Sequence, residues 1–227
     1  MSTSITEKEI VESGDCDTIT GNNMKKKAYL IAKRALDIVV AGLGMLVMLL
    51  PMLLIALLIK LESPGPVIFV HNRIGEKGRP LRLLKFRSMF KNAEDLILDF
   101  TPEQKEEWDK NFKLENDPRI TRIGKFLRKS SMDELPQLLN VLKGELSIVG
   151  PRPVVSDELE RYGENKAVFL SVKPGLTGYW QAYARSNCSY EQRMEMELLY
   201  ARKANFWWDI KIIFATFGAV IRGRGAQ

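Results

Sequence analysis

From Ile38 to Ile59 the chain reads IVVAGLGMLVMLLPMLLIALLI, a run without a single charged residue. As an α-helix it would be about 33 Å long, enough to cross the hydrocarbon core of a bilayer. It lies too deep in the chain for a secretory signal, and no small-residue cleavage site follows it. A buried core helix of a soluble domain is the competing account, but no polar face interrupts the apolar surface. A membrane segment is the expectation.

Two features bear on how this segment meets the membrane. Pro51 lies inside the run, where it removes a helix hydrogen bond and introduces a kink. Cations flank both ends: Lys25, Lys26, Lys27, Lys33 and Arg34 precede the run, and Lys60, Arg73, Lys77 and Arg79 follow it. The positive-inside rule places both flanks in the cytoplasm. A helix that enters, bends at Pro51 and returns satisfies both, because Ile38–Leu50 is only about 20 Å long. An ordinary kinked crossing is the alternative. The expected organisation is a disordered acidic tail over 1–24, a re-entrant membrane helix over 25–62, and a cytoplasmic domain over 63–227.

Composition narrows the chemistry. The 227 residues contain two cysteines, Cys16 and Cys188, too few for a four-thiolate zinc site or a disulfide-stapled scaffold. One histidine, His71, makes a His-rich metal centre untenable and His-based proton transfer a poor expectation. Gly124-Lys125 is not a Walker A loop, because Arg119 stands where the first glycine is needed. The net charge of +6 understates how basic the domain is, since Glu7, Glu9, Glu12, Asp15 and Asp17 all fall in the tail. Basic domains seek phosphate in nucleotides, nucleic acids or anionic lipid headgroups, although solubility alone also explains such charge. Asp15-Cys16-Asp17 matches a metal-binding Asp-x-Asp pattern, and is discarded as a chance match within an acidic tail.

After the membrane segment, Ser63-Pro64-Gly65-Pro66 marks a turn. Val67–Val70 and Leu81–Met89 read as the strands of a β-hairpin around Gly75 and Gly78, with Lys85 and Arg87 on one face. An exposed edge guarded by cations is the plain reading of that pair. Residues 91–113 read as helical, with Thr101-Pro102 opening a new helix. Asp117-Pro118 resembles a helix N-cap, and Arg119, Arg122, Lys125 and Arg128 follow along one flank.

Ser131-Met132-Asp133-Glu134-Leu135-Pro136 comes next. Ser131 and Glu134 fit a capping box, whereas Pro136 argues for a helix start nearer that proline. Either way, Asp133 and Glu134 lie at a helix N-terminus, whose unpaired N–H groups favour carboxylates and phosphate. An ionised Asp could attack phosphorus, a neighbouring Glu could hold Mg²⁺, and Arg128 could neutralise a phosphoryl group. Downstream, Gly150-Pro151-Arg152-Pro153 and Lys173–Gly178 read as turns, and Tyr179–Tyr190 as irregular. Arg185 and Asn187 in that segment could meet a nucleotide or sugar. Phe206–Ile221 suits a helix in the membrane interface, with a core helix as the alternative.

In this order the pieces resemble the bacterial sugar transferase family, the monotopic phosphoglycosyl transferases. The resemblance covers residues 30–227. It rests on Lys33-Arg34 with Asp37, Ser63-Pro64-Gly65-Pro66-Val67, Leu84-Lys85-Phe86-Arg87-Ser88-Met89, Asp117-Pro118-Arg119-Ile120-Thr121, Asp133-Glu134-Leu135-Pro136-Gln137, Gly150-Pro151-Arg152-Pro153 and Lys173-Pro174-Gly175-Leu176-Thr177-Gly178. It implies a mainly helical α+β fold with a Pro-kinked re-entrant membrane helix, a small β-hairpin and amphipathic interfacial helices. It also implies transfer of a phosphosugar from a UDP-sugar to undecaprenyl (polyprenyl) phosphate, with Mg²⁺, at the cytoplasmic face of the cell membrane. Asp133 would become covalently linked to the phosphosugar with release of UMP, and Glu134 would bind the metal. Lys85, Arg128, Arg152, Arg185 and Asp209 match substrate-binding or active-site positions, and Pro51 the membrane bend.

Two departures from relatives stand out: Leu50-Pro51 replaces Ser-Pro at the bend, and Ala184 replaces a glycine. The lack of a long N-terminal multi-helix region suggests a minimal catalytic form. Membrane lipids and the two substrates are the expected partners. Nucleic acid is not, since only net charge would support it, and a homodimer is left open. A catalytically inactive scaffold of a polysaccharide assembly complex and a UDP-releasing glycosyltransferase are the competing functions.

Overall fold

The computed structural model describes residues 15–93, 95–97, 100–102, 104–105, 114, 117–184 and 188–221. Helix α1 runs from Asp15 to Glu62 and continues through Pro51 as one element. Residues 15–24, expected within a disordered tail, are helical, and residues 1–14 lie outside the described residues. One stripe of α1 is covered by the domain: Ala41, Met45, Met52, Ile55 and Ile59 recur at helical spacing against it. Leu43, Leu46, Val47, Leu50, Leu54, Leu57 and Leu61, on the remaining faces, are exposed. A soluble core helix would be covered on all sides; this one keeps most of a large apolar surface open. It is long and apolar enough to cross a membrane.

The turn after α1 leads into β1 (Ile68–Ile74), which pairs antiparallel with β2 (Pro80–Phe86), Ile68 opposite Phe86 and Ile74 opposite Pro80. This is the expected hairpin, with its first strand longer and its second shorter. The expected exposed cationic edge is not there. Arg87 is buried and clamps the Ser63–Pro66 turn, donating to the Pro64 carbonyl at 2.8 Å and to the Ser63 carbonyl and hydroxyl at 2.8 and 2.9 Å. Gly65 is required there: its φ is +124°, and a Cβ would lie 2.2 Å from Arg87 Nη1.

Thr101 and Gln104 exchange side-chain-to-backbone hydrogen bonds, opening a helical turn at Pro102 as expected; most of 103–116 lies outside the described residues. Helix α2 (Arg122–Ser130) starts later than Asp117-Pro118 suggested, with Thr121 as its N-cap. Thr121 Oγ1 accepts from the Gly124 N–H at 2.8 Å, and the Glu62 carboxylate accepts from Arg122 and Ile123 N–H groups at 2.7 and 3.1 Å. The end of α1 thereby satisfies amides that α2 cannot satisfy itself. Asp117 instead binds Arg119 through Nε at 2.8 Å and Nη2 at 2.6 Å. Arg119 is therefore buried and absent from the exposed row that Arg122, Lys125 and Arg128 form.

Helix α3 (Gln137–Lys143) ends on Gly144 in the left-handed region. Arg34 caps it from α1, donating to the Val141 and Leu142 carbonyls at 2.6 and 2.7 Å. Strand β3 (Ser147–Val149), short helices α4 (Ser156–Glu160) and α5 (Lys166–Phe169), and β4 (Gly175–Thr177) follow. β3 and β4 form a parallel pair that the sequence did not announce, Ser147 opposite Gly175 and Val149 opposite Thr177. Residues 179–183, expected to be irregular, form α6 (Tyr179–Tyr183), and α7 (Tyr190–Lys203) opens on a Ser189–Gln192 capping box. Helix α8 (Phe206–Ile221) buries Asp209 and Ile212 while exposing Trp207, Phe214 and Phe217. The main core joins Leu81 and Leu83 of β2 to Leu138, Val141, Leu146, Tyr200 and Ile212, with Ala41 of α1.

Candidate active site

Asp133 and Glu134 stand on a single 3₁₀ turn, Met132–Glu134, between α2 and α3. The turn exists because Ser131 takes φ 58° and ψ 17° and ends α2. That left-handed conformation costs a non-glycine residue about 1 kcal/mol. The capping box of Ser131 with Glu134 does not form, and α3 begins after Pro136, whose φ of −60° suits a helix entrance. Glu134 turns to β2 instead. Lys85 donates to Glu134 Oε1 at 2.7 Å and lies 4.0 Å from Asp133 Oδ2. Lys85 shares its strand face with Leu81 and Leu83, which explains how a lysine reaches a largely enclosed site.

The Asp133 side chain is 14% exposed and that of Glu134 is 35% exposed. Burial pushes the Asp133 pKa above the ordinary carboxylate value; Lys85 and Arg128 pull it down, and Glu134 pushes it further up. Arg128 is held beside the pair by donation from Nε to Ser88 Oγ at 2.8 Å. The contact depends on how closely α2 seats on the hairpin exit, since a Cβ on Gly124 would lie 1.9 Å from the Ser88 carbonyl oxygen. Asp133, Glu134, Lys85 and Arg128 are thus brought together.

Arg152 approaches from the β3 side. Its N–H donates to Glu197 Oε1 at 3.1 Å, and Glu197, almost fully buried on α7, also accepts from Tyr162 and from Arg193 at 3.4 Å. Arg73, Lys85 and Arg152 all bear on His71, whose pKa falls to about 4, chiefly through burial and then through these cations. Arg185 lies outside the described residues. Pro51 sits on an exposed face of α1.

Among the described residues Asp209 shares no hydrogen-bond or ion-pair partner with Asp133. It is fully buried, with Oδ2 accepting from Lys33 at 2.9 Å and from Tyr29 at 3.0 Å, and Oδ1 from Tyr200 at 2.6 Å. Asp37 nearby accepts from Ser147 Oγ and the Ile148 N–H at 2.9 and 2.8 Å. Lys33, Arg34 and Asp37 thus anchor α1 to the domain, and the two cations turn inward rather than towards lipid headgroups. Sequence reasoning missed this anchor and Glu197. An acid between Met194 and Tyr200, at helical spacing on a covered face, is the signal that could have found Glu197.

Among the described residues no three His, Cys, Asp or Glu side chains gather as a metal cage. The adjacent carboxylates Asp133 and Glu134 fit the other manner of holding Mg²⁺, in which one or two carboxylates share the ion with substrate phosphates.

A model of the bacterial sugar transferase family matches residues 28–223, a span that contains the whole site. The chain belongs to that family. It is 45% identical over 208 residues to a UDP-galactose-lipid carrier transferase of Erwinia amylovora, covering 90% of this chain and 43% of that protein. It is 42% identical over 208 residues to an undecaprenyl-phosphate galactose phosphotransferase of Salmonella typhimurium, covering 90% and 44%. Against the exopolysaccharide production protein ExoY of Rhizobium meliloti it is 42% identical over 199 residues, covering 86% and 88%. The chain thus spans less than half the length of the first two relatives and most of the third.

Proposed function

We propose that this protein transfers a sugar 1-phosphate from a UDP-sugar to undecaprenyl phosphate through a covalent intermediate on Asp133, as the initiating step of exopolysaccharide, capsule or glycoconjugate assembly. The observation that carries this reading is the desolvated Asp133 carboxylate set between Lys85 and Arg128. Asp133 attacks the sugar-bearing phosphorus, the bond from that phosphorus to the bridging oxygen breaks, and UMP leaves with the electron pair. An oxygen of the lipid phosphate then attacks the same phosphorus and expels the Asp133 carboxylate, giving a polyprenyl diphosphate sugar. Lys85 and Arg128 offset charge on the phosphoryl group, and Arg152 serves the same diphosphate. Mg²⁺, held by Glu134 and substrate phosphates, would supply further charge neutralisation. Two displacements let one site serve two bulky substrates in turn.

The re-entrant membrane placement, with the domain on the cytoplasmic face, is supported by the attachments of α1. Its first part is tied by Lys33, Arg34 and Asp37, and its end by Glu62, to one domain. Between them, Ile55 and Ile59 pack against Met132 and Leu135, which flank the carboxylate pair. A full crossing over Ile38–Ile59 would draw that charged turn towards the hydrocarbon, whereas a helix returning to its own side leaves it at the headgroup plane. An inactive scaffold would need none of this clustering and is not favoured.

A panel of UDP-sugars assayed with undecaprenyl phosphate and Mg²⁺ tests the reaction. UMP release and a phosphosugar adduct on Asp133 are expected, both lost in Asp133→Asn. UDP release, or an adduct elsewhere, would overturn the mechanism. For topology, an impermeant thiol reagent should label a cysteine placed near residue 62 only once the cytoplasmic side is opened; labelling from outside would establish a crossing.

A further inference from the structure

Arg73, near the end of β1, leaves most of its hydrogen-bonding capacity unused. Its side chain is only 11% exposed, yet Nε and Nη1 make no hydrogen bond, and Nη2 has one 3.5 Å contact with His71 Nδ1. Glu158 Oε1 stands 3.9 Å from Nη1, close enough to attract the charge and too far to accept a hydrogen bond. Guanidinium N–H groups buried without acceptors are costly, and each calls for a partner that the surrounding side chains do not supply.

The position of Arg73 says where that partner lies. Arg73 and His71 share the β1 face that carries Phe69, directly opposite Lys85. The Ile74 N–H donates to the Val154 carbonyl at 2.9 Å, which draws the end of β1 against the Pro151-Arg152-Pro153 turn. Arg73 and Arg152 are near enough for their charges to act on one another, and both act on His71, as does Lys85. Its register position is about 13 Å along the strand from that of Lys85, at ~3.3 Å per residue. Two long side chains and an extended nucleoside diphosphate together span that interval. If the sugar-bearing phosphorus lies at Asp133, the other phosphate of the donor extends towards Arg152 and Arg73.

Resting on the function proposed above, we infer that Arg73 is a further substrate-binding residue, donating from Nε and Nη1 to a phosphate oxygen on the nucleotide half of the UDP-sugar. The competing role is structural, a bridge from Arg73 through Glu158 to Arg193, whose Nη2 lies 4.0 Å from Glu158 Oε2.

The two roles separate in full-length protein carrying Arg73→Lys or Arg73→Gln. Arg73→Lys keeps a cation against Glu158 and serves as the test even if Arg73→Gln folds poorly. Binding of UMP, measured by calorimetry, should weaken about tenfold or more, the loss of a charge-assisted hydrogen bond. KM for the UDP-sugar should rise in step, with KM for undecaprenyl phosphate and the thermal midpoint of Arg73→Lys unchanged. Wild-type UMP affinity and donor KM in Arg73→Lys would overturn this inference and leave the proposed function standing. A rise confined to the KM for undecaprenyl phosphate would also overturn it, assigning Arg73 to the acceptor. Wild-type protein that neither binds UMP nor turns over any UDP-sugar would remove the inference and the proposed function together.

Discussion

Lys85 is bonded to Glu134 at 2.7 Å. The lysine therefore spends its hydrogen bond on the second member of the acidic pair and acts on Asp133 at 4.0 Å through charge alone. A cation so placed favours the ionised Asp133, while Glu134 opposes ionisation. Lys85→Met should therefore move the acid limb of the kcat/KM profile to higher pH, and Glu134→Gln should move it lower. In both variants the maximal rate should fall, by roughly 10²–10³ for Lys85→Met, as expected for a lost electrostatic stabiliser. Steady-state kinetics across pH checks both directions.

Asp133 also affects stability. Its folded pKa is raised above the ordinary carboxylate value of 3.8, chiefly by burial. The group thus favours folding most when both states are protonated, and this advantage is lost as pH rises through the folded value. Asp133→Asn should consequently melt higher than wild type near neutral pH while being inactive, and the gap should close as pH falls towards 3.8. Thermal melts at several pH values measure it; a mutant less stable at neutral pH would contradict the sign.

The Lys33–Asp209 pair joins α1 to α8 at 2.9 Å with Asp209 fully buried. Lys33→Met leaves that carboxylate without its cation, at a cost of about 3–5 kcal/mol. Replacing both residues with apolar ones should recover much of this loss, although Tyr29 and Tyr200 would then lose their acceptor. A double-mutant cycle read by denaturant unfolding checks it. KM for the donor should change little in folded Asp209→Asn, because its carboxylate touches α1 and Tyr200 rather than the acidic pair.

Gly124→Ala should destabilise the fold by roughly 1–3 kcal/mol, since its Cβ would lie 1.9 Å from a backbone oxygen that cannot swing away. The shift of α2 should also separate Arg128 from Ser88, lowering turnover more than the melting point alone would suggest. Activity per folded molecule is the relevant measurement.

How much of this was legible in the sequence depended on the range of the signal. The apolar run of α1 and the glycine-punctuated hairpin are local patterns, and the acidic pair with Lys85 and Arg128 falls within recognisable motifs. β3 and β4, at three residues each, are too short to show a period, and their pairing joins segments far apart in the chain. Nothing beside Asp209 in the sequence announces that Lys33 and two tyrosines will surround it. The left-handed Ser131 was equally invisible, because serine is an ordinary residue at a helix start and an uncommon one in that conformation.

Arg34 and Glu62 finish two helices that do not belong to them. One closes the carboxyl end of α3 and the other the amino end of α2, and the acidic turn hangs between those two helices. Deleting α1 would therefore remove the fastenings on both sides of the Asp133–Glu134 turn. The long apolar helix is thus structural carpentry for the acidic turn.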